Sequence, residues 1–361
     1  MEILRYRAYA RAAIVACLMA GWGSCTRLTY ISNEKEASIE EKKGAGETTV
    51  IHIFSVKNSP EIENMAVWVY DGMDTAFAAQ SGQNAFLLCN PSPNARVLAA
   101  VNLASNIERI TENKALSDTV TADISRMSDS RITAFASGRK VILPGSNSFS
   151  ITANRAIAKV RLEQICNNIS EGAYSGKPVT VEKVFIINGV GRYRIFPGAE
   201  TENHSPENGR WWFSPSGMVD KADLDNISPA KGEGLMEAPP LSYCTINTTV
   251  AFGGTLQLDI ELFTGPNSIS QDNFSSSGAS PVQGIWQPRK TRLVVQCSID
   301  GARCYYPVTI SDIEPNKIYL VKKLNLVNFG TTAPDQPYIF QEGTGSLTVE
   351  EWTEQNLTER I

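Results

Sequence analysis

Two stretches of this chain change polarity at every residue. In TLQLDIELF (255–263), Leu256, Leu258, Ile260 and Leu262 alternate with Gln257, Asp259 and Glu261. In 158–163, Ala158, Val160 and Leu162 alternate with Lys159, Arg161 and Glu163. Successive side chains of a strand point to opposite faces, whereas a helix brings together residues three and four apart. A period of two therefore predicts half-buried antiparallel strands, each with one apolar and one charged face. We read the charged face as solvated.

Further runs rich in β-branched and aromatic residues read as strands. They are 50–56, 65–70, 97–103, 140–143, 179–187, 291–299, 302–310 and 317–327. Asp71-Gly72 marks a turn after the second. Two short helices are expected. Ser105 with Glu108 makes a capping box ahead of Ile107 and Ile110. Val120, Ile124 and Met127 recur at helical spacing. Many strands, few helices and frequent turn residues predict an all-β protein made of two antiparallel β-sandwich domains. The chain has 361 residues, enough for two domains. The polar, glycine-bearing stretch 166–178 is the expected boundary. It separates an N-terminal sandwich at 50–168, closed by the run 149–165, from a C-terminal one at 179–361. Long loops are expected at 200–239 and 264–289.

One register is legible residue by residue. Asp300-Gly301 is a strong two-residue hairpin signal. If those residues form the turn, Ile299 faces Ala302, Ser298 faces Arg303 and Cys297 faces Cys304. The cysteine pair then occupies a hydrogen-bonded position, where side chains stand farther apart. A somewhat strained disulfide and two buried free thiols are both open readings.

The first 24 residues read as an export signal. Arg5, Arg7 and Arg11 precede an apolar run at 12–22, then Gly23, Ser24 and Cys25. The run is shorter than the ~20 residues a membrane-spanning helix needs. Small residues before Cys25 mark a bacterial lipoprotein signal, in which the thiol is acylated and becomes the new N-terminus. Cys17 is a second candidate, and an ordinary cleaved signal is the alternative. Residues 25–49 are polar and charge-rich, and read as a flexible tether.

Chemistry is hard to find. A net charge of −5 without a basic stripe argues against nucleic-acid binding. No nucleophile–base–orienter constellation, metal-ligand spacing or cofactor motif stands out, so the expectation is a non-enzyme without cofactors. His52 reads as a sheet residue and His204 as a loop residue. Asp71 and Asp74 fit a turn. Gly189-Val190-Gly191 lacks the phosphate-loop pattern. Asp220, Asp223 and Asp225 lack the glycine and distal glutamate of a calcium loop. Trp211, Trp212 and Phe213 admit two readings: a hydrophobic plug, or a stacking platform for a glycan or partner.

Five patterns in order resemble the fimbrillins, the type V pilus subunits of Bacteroidales-type bacteria. They are the Cys25 lipobox with its spacer, AVWVYDGMD (66–74), ARVLAAVNLASN (95–106), ITANRAIAKVRLE (151–163), and NKIYLVKKLNLVNFG (316–330) followed by SLTVEEW (346–352). The resemblance implies two transthyretin-like sandwiches and export as an outer-membrane lipoprotein. It implies removal of an N-terminal segment by a protease and assembly with other fimbrial subunits by β-strand addition. On that reading the chain is a fimbrial subunit or surface adhesin, with a host or bacterial surface ligand as a further partner. A surface lipoprotein binding glycan through the aromatic loop is the alternative. Within this frame 28–32 reads as a short first strand. Processing is expected between Arg27 and Lys43, with Lys42-Lys43 exposed. The donor strand is expected within 338–352, with Leu347 and Val349 on one face and Trp352 on the other.

Overall fold

In a computed structural model the described residues are 49–57, 62–70, 75–81, 85–103, 120–128, 131–195, 210–213, 234–269, 289–336 and 345–351. They form the strands β1 (Thr49–Lys57), β2 (Asn64–Tyr70), β3 (Thr75–Ser81), β4 (Ala85–Cys89), β5 (Ser92–Val101), β6 (Thr121–Asp123) and β7 (Ala134–Ile142). Next come β8 (Ser146–Thr152), β9 (Asn154–Arg155), β10 (Ala158–Asn167), β11 (Val179–Ile187), β12 (Val190–Arg194), β13 (Trp211–Phe213) and β14 (Gly234–Met236). The chain continues with β15 (Tyr243–Val250), β16 (Thr255–Thr264), β17 (Thr291–Ile299), β18 (Ala302–Ile310), β19 (Lys317–Leu326) and β20 (Gly345–Glu351). The fold is all-β, as its alternation and strand-rich composition predict. It is not purely antiparallel, because β1 with β8, β10 with β19 and β13 with β14 pair in parallel.

The first body sets a five-stranded sheet, β3-β2-β5-β7-β9, beside a three-stranded one, β4-β1-β8. Strands β2 and β5 are buried on both faces. Met65, Val67, Val69, Val97, Ala99 and Val101 join one core with Ala134, Ala136 and Ile142, against which Cys89 of β4 packs. Ala66, Trp68, Leu98 and Ala100 join another with Val190, Tyr193 and Trp212. Burial of both faces explains why MAVWVY is an unbroken apolar run and not an alternating one.

The second body packs β16-β10-β19-β20 against β15-β11-β17-β18. Its core draws Val160, Leu162 and Ile165 from β10, Val181 and Val184 from β11, Leu293, Val295 and Cys297 from β17, and Tyr319 and Val321 from β19. On the outer face of β10, Lys159 pairs with Glu261 at 2.6 Å and Arg161 with Asp259 at 2.9 Å. Such partly exposed pairs contribute about 0–1 kcal/mol each, so they order the solvated face and do not hold the fold together.

Three expectations are corrected. Strand β10 does not close the first body, because its apolar stripe packs in the second between β16 and β19. The run 149–165 is broken at Ala153 and again at Ala156-Ile157, so the change of body falls before Ala158 and not at 166–178. Val120, Ile124 and Met127 do not lie on a helix of several turns. The strand β6 leads into a single 3₁₀ turn at Ile124–Arg126, capped by the Asp123 side chain accepting from Ser125 N. The loop expected at 200–239 contributes β13 and β14. The expected helix around 105–110 and the Asp71-Gly72 turn lie outside the described residues.

A small sheet, β14-β13-β12-β6, joins the two bodies. Neighbouring residues of β13 serve opposite sides: Trp212 belongs to the core of the first body and Phe213 to that of the second. Period-two geometry lets one short strand fill both.

Candidate assembly surface at the C-terminal strand

Among the described residues strand β20 lies at the end of its sheet and pairs antiparallel with β19 alone. The register runs from Lys317↔Glu351 through Ile318↔Glu350, Leu320↔Thr348 and Val321↔Leu347, then slips before Leu324↔Gly345. Leu347 is 40% exposed. The expected donor segment thus forms, at 345–351, the last described strand of its own sandwich. Leu347 and Val349 lie on it at alternate positions, while Trp352 lies outside the described residues.

Two other edges of this body, β15 and β18, are blunted. In β18, Pro307 stands opposite Val294 and lacks an N–H to offer. Thr331 pairs with Tyr305 along the same edge. In β15, Asn247 takes a left-handed φ of 52° beside a register slip between Val181 and Lys183. Bulges and prolines are common devices against edge-to-edge association.

In the first body, β1 lies between β4 and β8, with Val50 opposite both Leu88 and Ser146. His52 stands opposite Phe86 in this strand. The tether and its candidate sites, Cys25, Arg27, Lys42 and Lys43, lie outside the described residues. So do His204 and the acidic loop with Asp220, Asp223 and Asp225.

The aromatic triplet does not form an open platform. Trp212 and Phe213 are fully buried, and only Trp211 reaches solvent, at 37% exposure. The Arg192 guanidinium covers its ring at 5.4 Å. Arg192 is held in turn by Asp123 at 2.9 Å. The buried plug is the reading the burial supports, and the glycan platform loses two of its three rings.

Cys297 and Cys304 stand directly opposite, as the Asp300-Gly301 turn requires. Both turn residues have positive φ, 52° and 81°, the signature of a type I′ turn. The two sulfurs are free thiols. Burial pushes both upward in pKa, Cys297 well above the ordinary thiol range. Among the described residues, no group of three His, Cys, Asp or Glu side chains could hold a metal.

One polar cluster had no signal in sequence. The Asp335 carboxylate accepts hydrogen bonds from Arg289, from Arg292, and from Asn188 Nδ2 at 2.7 Å. Arg292 is fully buried and Arg289 nearly so. Burial pushes the carboxyl up in pKa while the two guanidinium groups pull it down. Asn188, the Arg289/Arg292 pair and Asp335 come from three distant stretches of the chain, so no motif spacing announces them.

Comparison with known proteins adds the fold. No family model matches the chain, and no curated protein does. Among solved structures, a proposed cell adhesion protein from Parabacteroides distasonis is similar at a TM-score of 0.58 and 14% identity, covering 85% of this chain and all of that one. Another from Bacteroides eggerthii gives 0.52 at 14%, covering 86% and 98%. A fimbrilin from Porphyromonas gingivalis gives 0.51 at 13%, covering 83% and 95%. Over most of its length, this chain has the fold of these bacterial adhesion and fimbrial proteins.

Proposed function

We propose that this protein is a fimbrial subunit or fimbrillin-like surface adhesin that acts by association and not by catalysis. Its expected route is export, acylation at Cys25, anchorage in the outer membrane, and proteolysis between Arg27 and Lys43. A cut after Lys43 makes β1 the first strand of the processed chain. Assembly then proceeds by donation of the C-terminal strand to a neighbour, whose sheet edge supplies the matching backbone groups.

The observation that carries this reading is the position of β20: the last described strand, at a sheet edge, with one neighbour among the described residues. The first body offers a complementary feature. Among the described residues its narrower sheet has three strands, and we take an edge of that sheet as the acceptor. Exchanging a strand between identical copies costs little, because the pairing lost in one subunit is regained in the next.

Truncation at Gly345 tests the donor. Loss of polymers from a still-folded monomer supports donation. Unfolding of the second body assigns β20 a purely internal role, and unchanged polymers remove donation from this segment. Palmitate labelling tests the anchor: incorporation is expected in the wild type and absent from Cys25→Ala. Equal labelling of that variant would move the site to Cys17 or end the lipoprotein reading.

A further inference from the structure

The chain between β19 and β20 is tied down before it reaches the edge strand. The Tyr306 hydroxyl donates to the Asn328 carbonyl at 2.9 Å. Tyr305 and Thr331 exchange both backbone hydrogen bonds, at 2.9 and 2.8 Å. Gly330 lies so close to Tyr305 that a Cβ there would overlap its carbonyl. Residues 328–331 therefore run along β18, in the sheet facing β19 and β20. Asp335 then closes the crossing through Arg289, Arg292 and Asn188. Removing one member of a buried, hydrogen-bonded charge cluster leaves the others uncompensated, so such a cluster resists opening. Beyond it the attachment changes character. Strand β20 has one neighbour among the described residues, a register slip and an exposed Leu347.

We propose that Asp335 is the fixed root of a transferable C-terminal arm. When β20 is donated, the chain up to Asp335 stays with its own subunit and only the residues after it move. This inference rests on the donation reading above. It adds where the moving part begins and what holds the rest. From Asp335 an extended chain reaches at most about 45–50 Å by Val349, enough to enter an adjoining sandwich. The root thereby sets the largest spacing two joined subunits can have.

Two reversible locks test the root. Tyr305→Cys with Thr331→Cys ties the chain to β18 ahead of Asp335, at a directly paired position. Ile318→Cys with Glu350→Cys ties β20 to β19 beyond it. Each processed full-length subunit is oxidised and assayed for polymers, then assayed again after adding reductant. Recovery on reduction separates the lock from any folding defect of the substitutions. The expected result is near wild-type polymerisation with the first lock and a loss of about tenfold or more with the second, reversed by reductant. Polymer loss with the first lock overturns the root, and if the second also blocks, donation itself stands. Free polymerisation with both locks overturns donation and the root together. A second measurement needs no variant: in the wild-type monomer, hydrogen exchange at Thr331 should be at least about tenfold slower than across β20. Equal protection overturns the root whatever the locks do.

Discussion

Cys297 and Cys304 face each other across the β17–β18 hairpin, the third pair back from the Asp300-Gly301 turn, and both thiols are buried. A buried thiol is a poor nucleophile, because the thiolate that reacts is the form burial disfavours. We predict that neither is alkylated by iodoacetamide in the native protein and that both are alkylated on denaturation. Labelling at the global unfolding rate is expected. Faster labelling would mean the hairpin opens on its own.

The same burial predicts a pH dependence. In the unfolded chain Cys297 loses its proton near the ordinary value of 9.0, while in the folded chain it holds it. The unfolded state then binds fewer protons, so stability falls as pH rises above that value and is unaffected by this group below it. Cys297→Ala should flatten the alkaline slope of denaturation midpoints. An unchanged slope would assign the loss to other groups.

The three aromatics of β13 should separate cleanly. Trp212→Ala and Phe213→Ala each empty a fully buried site and should cost about 3–5 kcal/mol by chemical denaturation. Trp211→Ala removes a half-exposed ring and one Arg192 contact, and should cost about 1 kcal/mol or less. Comparable losses at all three positions would contradict the joint described for this strand.

Gly189 tests the same joint from the turn between β11 and β12. A Cβ there would stand 2.6 Å from Thr264 Oγ1, 2.8 Å from Ile186 Cγ2 and 2.9 Å from Phe213 Cδ2. Gly189→Ala should destabilise by about 1–3 kcal/mol through overpacking. A neutral effect in thermal unfolding would show that Phe213 yields without cost.

Asp335→Asn keeps the shape and removes the charge that two buried arginines share. The expected cost is about 3–5 kcal/mol, read as a lower denaturant midpoint. Double substitution with Arg292→Met should recover part of it, since one of the two uncompensated buried charges is then gone, Arg289 remaining. No recovery would show that Asp335 acts through hydrogen bonds alone.

Some of this architecture was legible in particular residues. The alternation of 158–163 and 255–263 identified which side chains of β10 and β16 face inward, because strand geometry is local. Asp300-Gly301 determined the pairing of nine residues on either side of it, because two positive-φ positions admit a two-residue turn and such a turn sets the register. Tertiary structure alone decided what those local elements pack against. Strand β10 reads the same whether it closes the first body or opens the second, since an apolar stripe specifies burial and not the partner. Trp212 and Phe213 fit a plug or a loop platform in sequence, and only the sheet around them placed each in a different core. Asn188, Arg289, Arg292 and Asp335 carry no common motif, because a buried charge cluster is chosen by which strand ends meet in space. Local periodicity sets the inward face of each strand, but its neighbours are chosen by the surface the whole chain can bury together, which no short window contains.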